Sequence, residues 1–222
     1  MRTTFFSDIQ GKIRLTMIFS LFSFCIFAQN INRDSIKINV QNENSNFYYE
    51  KLIYKFKFDP TTLSDEEVKN LYYGKNFSKY KTSFFDADYL DFTKNFGQGN
   101  LKKAIIYGEK YIEKDPTNSE VLTYMVVAYR NKDKEAKNYY LYALQSKTLV
   151  DCILKSGDGK TKETAIKVNS VGEEYLIASI LGKNIRAFKR TSIMQKDGTI
   201  DGFSKGNESI YFKVFESSED FK

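Results

Sequence analysis

Residues 156–161, SGDGKT, combine glycines, a lysine and a threonine as a phosphate-cradling loop does. A loop of that kind reads G-x-x-x-x-G-K-[ST], and Gly159-Lys160-Thr161 matches its end, but Leu154 stands where the first glycine belongs. The order of elements is also reversed. A phosphate loop leaves a strand and opens a helix, so that helix amides face the anion, whereas this stretch leaves a helical pattern and enters a strand-like one. The sequence therefore predicts a turn, with Gly157 as helix stop, Asp158-Gly159 as the bend, and Asp158 and Lys160 presented on a rigid loop.

Other residues invite chemistry and find simpler readings. Asp86, Asp88 and Asp91 could hold a divalent cation or supply paired carboxylates, yet no glycine turn or distal glutamate completes a calcium loop, and acids opening a helix are expected caps. Asp197 to Gly202 has a metal-loop look that aspartate-glycine hairpin turns explain. Tyr72, Tyr73 and Tyr80 could form a stacking surface for peptide or carbohydrate, or sit in a core with hydroxyls at its rim. The chain has no histidine. That removes Ser-His-Asp and Cys-His catalysis and histidine-based zinc sites. No catalytic residue, metal site or cofactor is assigned.

These residues need elements to hold them. Residues 1–28 read as a signal peptide: Lys12 and Arg14 precede an uncharged, mostly apolar run from Leu15 to Phe27, and Ala28 offers a cleavage point. The run is shorter than the roughly 20 residues of a membrane span, so no stable span is expected after cleavage. Arg2, Lys12 and Arg14 against Asp8 leave with it, so the net charge of +6 falls to +4, with both signs interleaved. A nucleic-acid reader would show a basic stripe, so no nucleic-acid partner is expected. Cys25 lacks the small preceding residue of a lipidation site. Cys152 is then the one remaining thiol and reads as a small buried hydrophobe.

Residues 29–45 are polar and unpatterned, a flexible lead-in. Residues 46–155 are helical. Phe47, Leu52 and Phe56 recur at near-helical spacing up to Asp59-Pro60. Ser64 and Glu67 form a capping box before Val68, Leu71 and Tyr72, with Gly74 as stop. Leu101, Ala104, Ile105, Gly108, Tyr111 and Ile112 share one helix face, where the small Ala104 and Gly108 admit a close neighbour. Residues 156–222 read as a small α+β module. Ser170 and Glu173 cap a short helix ending at Gly182, among strands at 164–169, 185–193, 199–203 and 209–215. The fold class is α+β: a helical N-terminal half packed on a small C-terminal antiparallel sheet.

Ala104, Gly108, Tyr111 and Pro116, followed by Leu122, Met125, Ala128 and Tyr129, resemble about one and a half tetratricopeptide repeats. Leu71 to Gly74 (LYYG), this helical pair, SGDGK followed by Glu163 to Ala165, Tyr175, and Tyr211-Phe212 together resemble a domain-of-unknown-function family, number 4919, of exported Bacteroidota proteins, over residues 46–222. The resemblance implies an envelope location, in periplasm or at the cell surface, and hands over no catalytic residues. The expected function is non-enzymatic binding of an envelope protein or peptide partner. The alternative is a carboxylate-dependent hydrolase acting on cell-surface glycan, which would need two acids facing one cleft.

Overall fold

A computed structural model describes residues 31–80, 85–132 and 135–215. The signal-peptide expectation lies outside them. Eight α-helices are present among these residues: α1 Arg33–Gln41, α2 Tyr49–Phe58, α3 Asp65–Gly74, α4 Ala87–Gly97, α5 Leu101–Lys114, α6 Ser119–Lys132, α7 Lys137–Leu154 and α8 Val171–Ile180. The strands are β1 Ile166–Val168, β2 Lys189–Gln195, β3 Gly198–Lys205 and β4 Glu208–Val214.

The lead-in is not irregular. Asn32 caps α1 by accepting from the Ser35 amide, and Ile36 and Val40, four residues apart, are buried against α3. Two apolar residues in a polar segment suffice because they meet one complementary site. A β-carbon on Gly74 would stand 2.6 Å from Val40 Cγ1, so Gly74 is there for close approach. The α-helix ends at Gly74, as the sequence predicts, and the chain runs straight on into a 3₁₀ turn, Lys75–Phe77.

Helices α4 to α7 pack in chain order, each on the next. The small residues of α5 act as their positions predict: a β-carbon on Gly108 would lie 2.3 Å from the sulfur of Met125 on α6. Ser64 caps α3 with the reciprocal box, its hydroxyl accepting from the Glu67 amide at 3.3 Å while Glu67 accepts from the Ser64 amide at 2.9 Å.

The sheet order is β1-β4-β3-β2. It is mixed: β2–β3 and β3–β4 are antiparallel, while β1 joins β4 in parallel, Ile166 opposite Phe212. A parallel neighbour cannot be reached by a hairpin, and here the chain crosses through α8 and the β2–β3 hairpin before β4 returns beside β1. Ile166, Val168, Phe203, Ile210, Phe212 and Val214 are buried on the helix-covered face. They belong to one hydrophobic cluster that runs from Ile31 to Phe215, without a break at residue 156. The expected strand at 185–193 begins later, because Ile185–Ala187 form a 3₁₀ turn with Ile185 in the core.

Candidate binding site

The 156–161 loop lies against the sheet. Ser156 Oγ accepts from the Lys167 amide at 2.8 Å, Gly159 N–H donates to Thr164 O at 2.8 Å, and the Tyr211 amide donates to Gly159 O at 2.9 Å. Gly159 takes φ +66°, where a side chain is strained. Gly157 is needed for space: a β-carbon would come within 2.4 Å of Thr164 O and 2.5 Å of Ala165 O. Asp158 and Lys160 are exposed. The Lys160 amide donates to Asp158 Oδ1 at 3.0 Å and its ammonium stands 3.4 Å from Oδ2. The Thr164 hydroxyl and that amide hold the Asp158 carboxyl below the usual carboxylate range. The loop is thus a clasp on β1 and β4, with a rigid charged tip.

The three tyrosines do not share a surface. Tyr72 and Tyr73 are 0% and 1% exposed, so neither has a face to offer a ligand. Tyr80 is half-buried against Tyr49, with Lys57 and Lys79 over its ring. The Tyr73 hydroxyl donates to Lys167 O at 3.1 Å. Tyr72 donates to Glu173 Oε2 at 2.6 Å and itself accepts from the Asn169 amide at 3.1 Å. Burial, then the Glu173 charge, pushes the Tyr72 phenol well above its ordinary value.

Glu173 is a group whose role the sequence misreads. Ser170 does cap α8, accepting from the Glu173 amide at 3.4 Å. The Glu173 carboxylate, however, turns into the core instead of back to the cap. It takes Tyr72, the Ser119 hydroxyl at 2.6 Å and the Asn169 amide at 2.8 Å. It ties α3, α6 and α8 at one point. Beside it runs a buried ion pair, Lys75 Nζ to Asp115 Oδ2 at 2.8 Å. Burial works against the Lys75 charge, but Asp115 with Tyr111 and Glu173 more than reverses this, and its pKa is raised.

Of the acids near the start of α4, Asp86 is the cap, while Asp88 and Asp91 lie within the helix. Asp86 accepts from the amides of Asp88 and Tyr89 at 2.9 and 3.3 Å, and Lys114 bridges Asp86 and Asp88 at 2.9 and 2.6 Å. Among the described residues no group of three or more acids, cysteines or histidines is placed to hold a metal. Asp201 lies in mid-strand, not in a turn. It is buried and accepts from Arg190 at 2.5 Å and from the Ser192 hydroxyl. Glu174 of α8 is buried nearby, 3.8 Å from the same guanidinium.

One cavity of about 160 Å³ opens between α3, α7 and the Pro60–Thr62 turn. Asp65, Asp151, Cys152 and Lys155 line it. Its two aspartates are engaged, Asp65 with Lys155 at 2.7 Å and Asp151 with Lys147. Burial pushes the Cys152 thiol up to about 12, so it stays protonated.

The sheet also leaves backbone groups unpaired at one margin. β2 is the last strand of the sheet, and all seven of its residues are exposed. A two-residue loop, Lys196-Asp197, joins it to β3, so the flanking pair Gln195–Gly198 is hydrogen-bonded. Alternation then points the N–H and C=O of Arg190, Ser192 and Met194 outward, where no described strand adjoins them. Met194 is 86% exposed. The KRTSIMQ run has no apolar-polar alternation, and nothing in it signals an edge.

A family described as a domain of unknown function, DUF4919, matches residues 34–221. The chain belongs to the DUF4919 family. Neither a curated protein nor a solved structure matches it. The DUF4919 match takes in α1 from Asp34 and continues past β4, so the helical half and the sheet are parts of one family unit.

Proposed function

We propose that this DUF4919 chain is an exported protein of the cell envelope, in periplasm or at the surface, that binds a protein or peptide partner and catalyses no reaction on it. The helices α4 to α7 act in this reading as a tetratricopeptide-like scaffold that backs the sheet. The observation that carries the reading is the bare outer edge of β2. Six backbone polar groups there face solvent in strand geometry, a template on which an extended segment adds with main-chain hydrogen bonds. The acids and tyrosines that could do chemistry are meanwhile held in internal bonds, as Glu173 and Tyr72 are.

The test is a pull-down from an envelope extract with the chain and with Met194→Pro. Proline removes an outward N–H without touching the β3 ladder. A partner retained by the chain and lost with the variant supports the reading; equal retention removes the edge from it. One observation favours a glycan hydrolase instead, namely two aspartates lining the α3–α7 cavity. Recovery of no partner together with turnover of cell-surface glycan, abolished by Asp65→Asn or Asp151→Asn, would reverse the ranking.

A further inference from the structure

β2 reads KRTSIMQ: two cations, no acid, and apolar Ile193 and Met194 at the far end. Lys189 forms no ion pair with a described residue, while Arg190 stays beside Asp201 with 39% of its side chain exposed. The segment leading into the strand adds Lys183 and Arg186. Lys183 reaches Glu208 at 3.4 Å, and Glu208 pairs with Lys205 one register step from the Ser204–Lys189 pair, so these cations gather at one end of the sheet. Arg186 is exposed and lies over the Tyr175 ring at 5.1 Å. Along the strand's own residues the free edge therefore runs from Lys189 and Arg190 to Ile193 and Met194.

We propose that the β2 edge takes an extended acidic segment of another protein as a fifth strand, its carboxylates beside Lys189 and Arg190 and its uncharged residues beside Ile193 and Met194. This rests on the partner-binding reading above and names that partner's chemistry. A second copy of this chain is a poorer occupant, because the net charge of +4 expected after cleavage sets two copies against each other and the β2 strand of a second copy, KRTSIMQ, itself carries no acid. An acid placed opposite either cation gains a cross-strand ion pair, and its strand gains the outward N–H and C=O groups of Arg190, Ser192 and Met194. An antiparallel guest meets the basic end with its C-terminal residues, and a parallel guest with its N-terminal ones.

The probes are ten-residue peptides of alternating threonine and valine carrying two glutamates at the C-terminal end, two at the N-terminal end, or two lysines or two glutamines in their place. Binding to the purified chain is followed by fluorescence anisotropy, and amide hydrogen exchange reports the edge. One of the glutamate peptides is expected to bind about tenfold tighter than its lysine and glutamine counterparts. Lys189→Glu should erase that preference. Exchange should slow at Arg190, Ser192 and Met194 and stay unchanged at Thr191 and Ile193, a readout that needs no variant to fold. Equal binding of all peptides with the same protection overturns the acidic guest and leaves the partner reading standing. Binding without protection at the three amides, no binding at millimolar peptide, or protection produced by self-association in sedimentation overturns the proposal itself. Binding to phosphatidylglycerol vesicles but to no peptide would assign the basic end to an anionic surface instead.

Discussion

The two margins of the sheet are finished in opposite ways. At β1 the outward groups of Lys167 are both met by side chains: its N–H by the Ser156 hydroxyl and its C=O by the Tyr73 hydroxyl. Just before β1 begins, Gly159 O takes the Tyr211 amide of β4 in its place. At β2 three residues turn the same groups to solvent, and no described strand or capping side chain meets them. A sheet edge left bare is an aggregation hazard that folds ordinarily cover, kink or charge. This fold has a clasp of two glycines, a serine and a tyrosine for one margin and only two cations for the other. The contrast teaches that the SGDGK stretch is spent on closing an edge, and that the open edge is where a partner would add.

The comparison is broken most forcefully at the clasp. Gly157→Ala puts a methyl group against two backbone carbonyls just before β1, Thr164 O, which accepts from the Gly159 amide, and Ala165 O. Overpacking of this kind costs about 1–3 kcal/mol, toward the upper end where the contact is backbone, and a denaturant titration should show the midpoint falling accordingly. A stability within 1 kcal/mol of the parent's would mean that the loop is free to move and the margin is not sealed (~1 kcal/mol being the cost of ordinary surface adjustment).

The open margin has its own tether. Burial alone would raise the Asp201 pKa, but the Arg190 guanidinium and the Ser192 hydroxyl hold it below the usual carboxylate range, with Glu174 facing the same pair. A depressed folded-state pKa contributes stability that is present above the unfolded value, near pH 4, and is lost as pH falls through the folded value. Arg190→Gln should therefore cost about 1–3 kcal/mol at neutral pH, below the full cost of a deeply buried pair because the guanidinium is partly exposed. That deficit should shrink as pH falls through the folded Asp201 value, because a protonated carboxyl no longer needs the guanidinium. Unfolding followed by circular dichroism across pH 2 to 7 (roughly the carboxylate range) checks both; a deficit that does not change with pH would show that β2 is not tied through Asp201.

Much of this was legible in the chain. Capping boxes, the Asp59-Pro60 stop and the spacing of Leu101, Ala104, Gly108 and Tyr111 are local signals, and the helices follow them. α1 was not legible, since what buries Ile36 and Val40 is the α3 surface around Gly74, far along the chain. The parallel placement of β1 is equally non-local, set by a crossover rather than by any residue of IKV. Among site residues, the turn character of 156–161 could be read from element order. The burial of Tyr72 and Tyr73 could not, because a tyrosine on an apolar stripe looks alike with its hydroxyl at the rim or bonded inside. Glu173 and Asp201 were hidden for the same reason: each stands where a cap or a turn explains an acid, and only tertiary contact shows Tyr72, Ser119 and Arg190 converging on them.

The smallest expected effect separates the two readings of the clasp most cleanly. Lys160 is the residue that a phosphate loop could least spare, and here its side chain is 80% exposed and reaches only Asp158. Exposed pairs of that kind contribute about 0–1 kcal/mol, and local pairs fall toward the low end. Lys160→Ala should leave the denaturation midpoint within about 0.5 kcal/mol of the parent's, against the large loss at Gly157 three positions earlier. A nucleoside triphosphate titrated into both proteins should give no binding in either. If the parent bound it and Lys160→Ala did not, the glycines would be shaping an anion site, and the sealed margin would be a by-product of that site instead of its purpose.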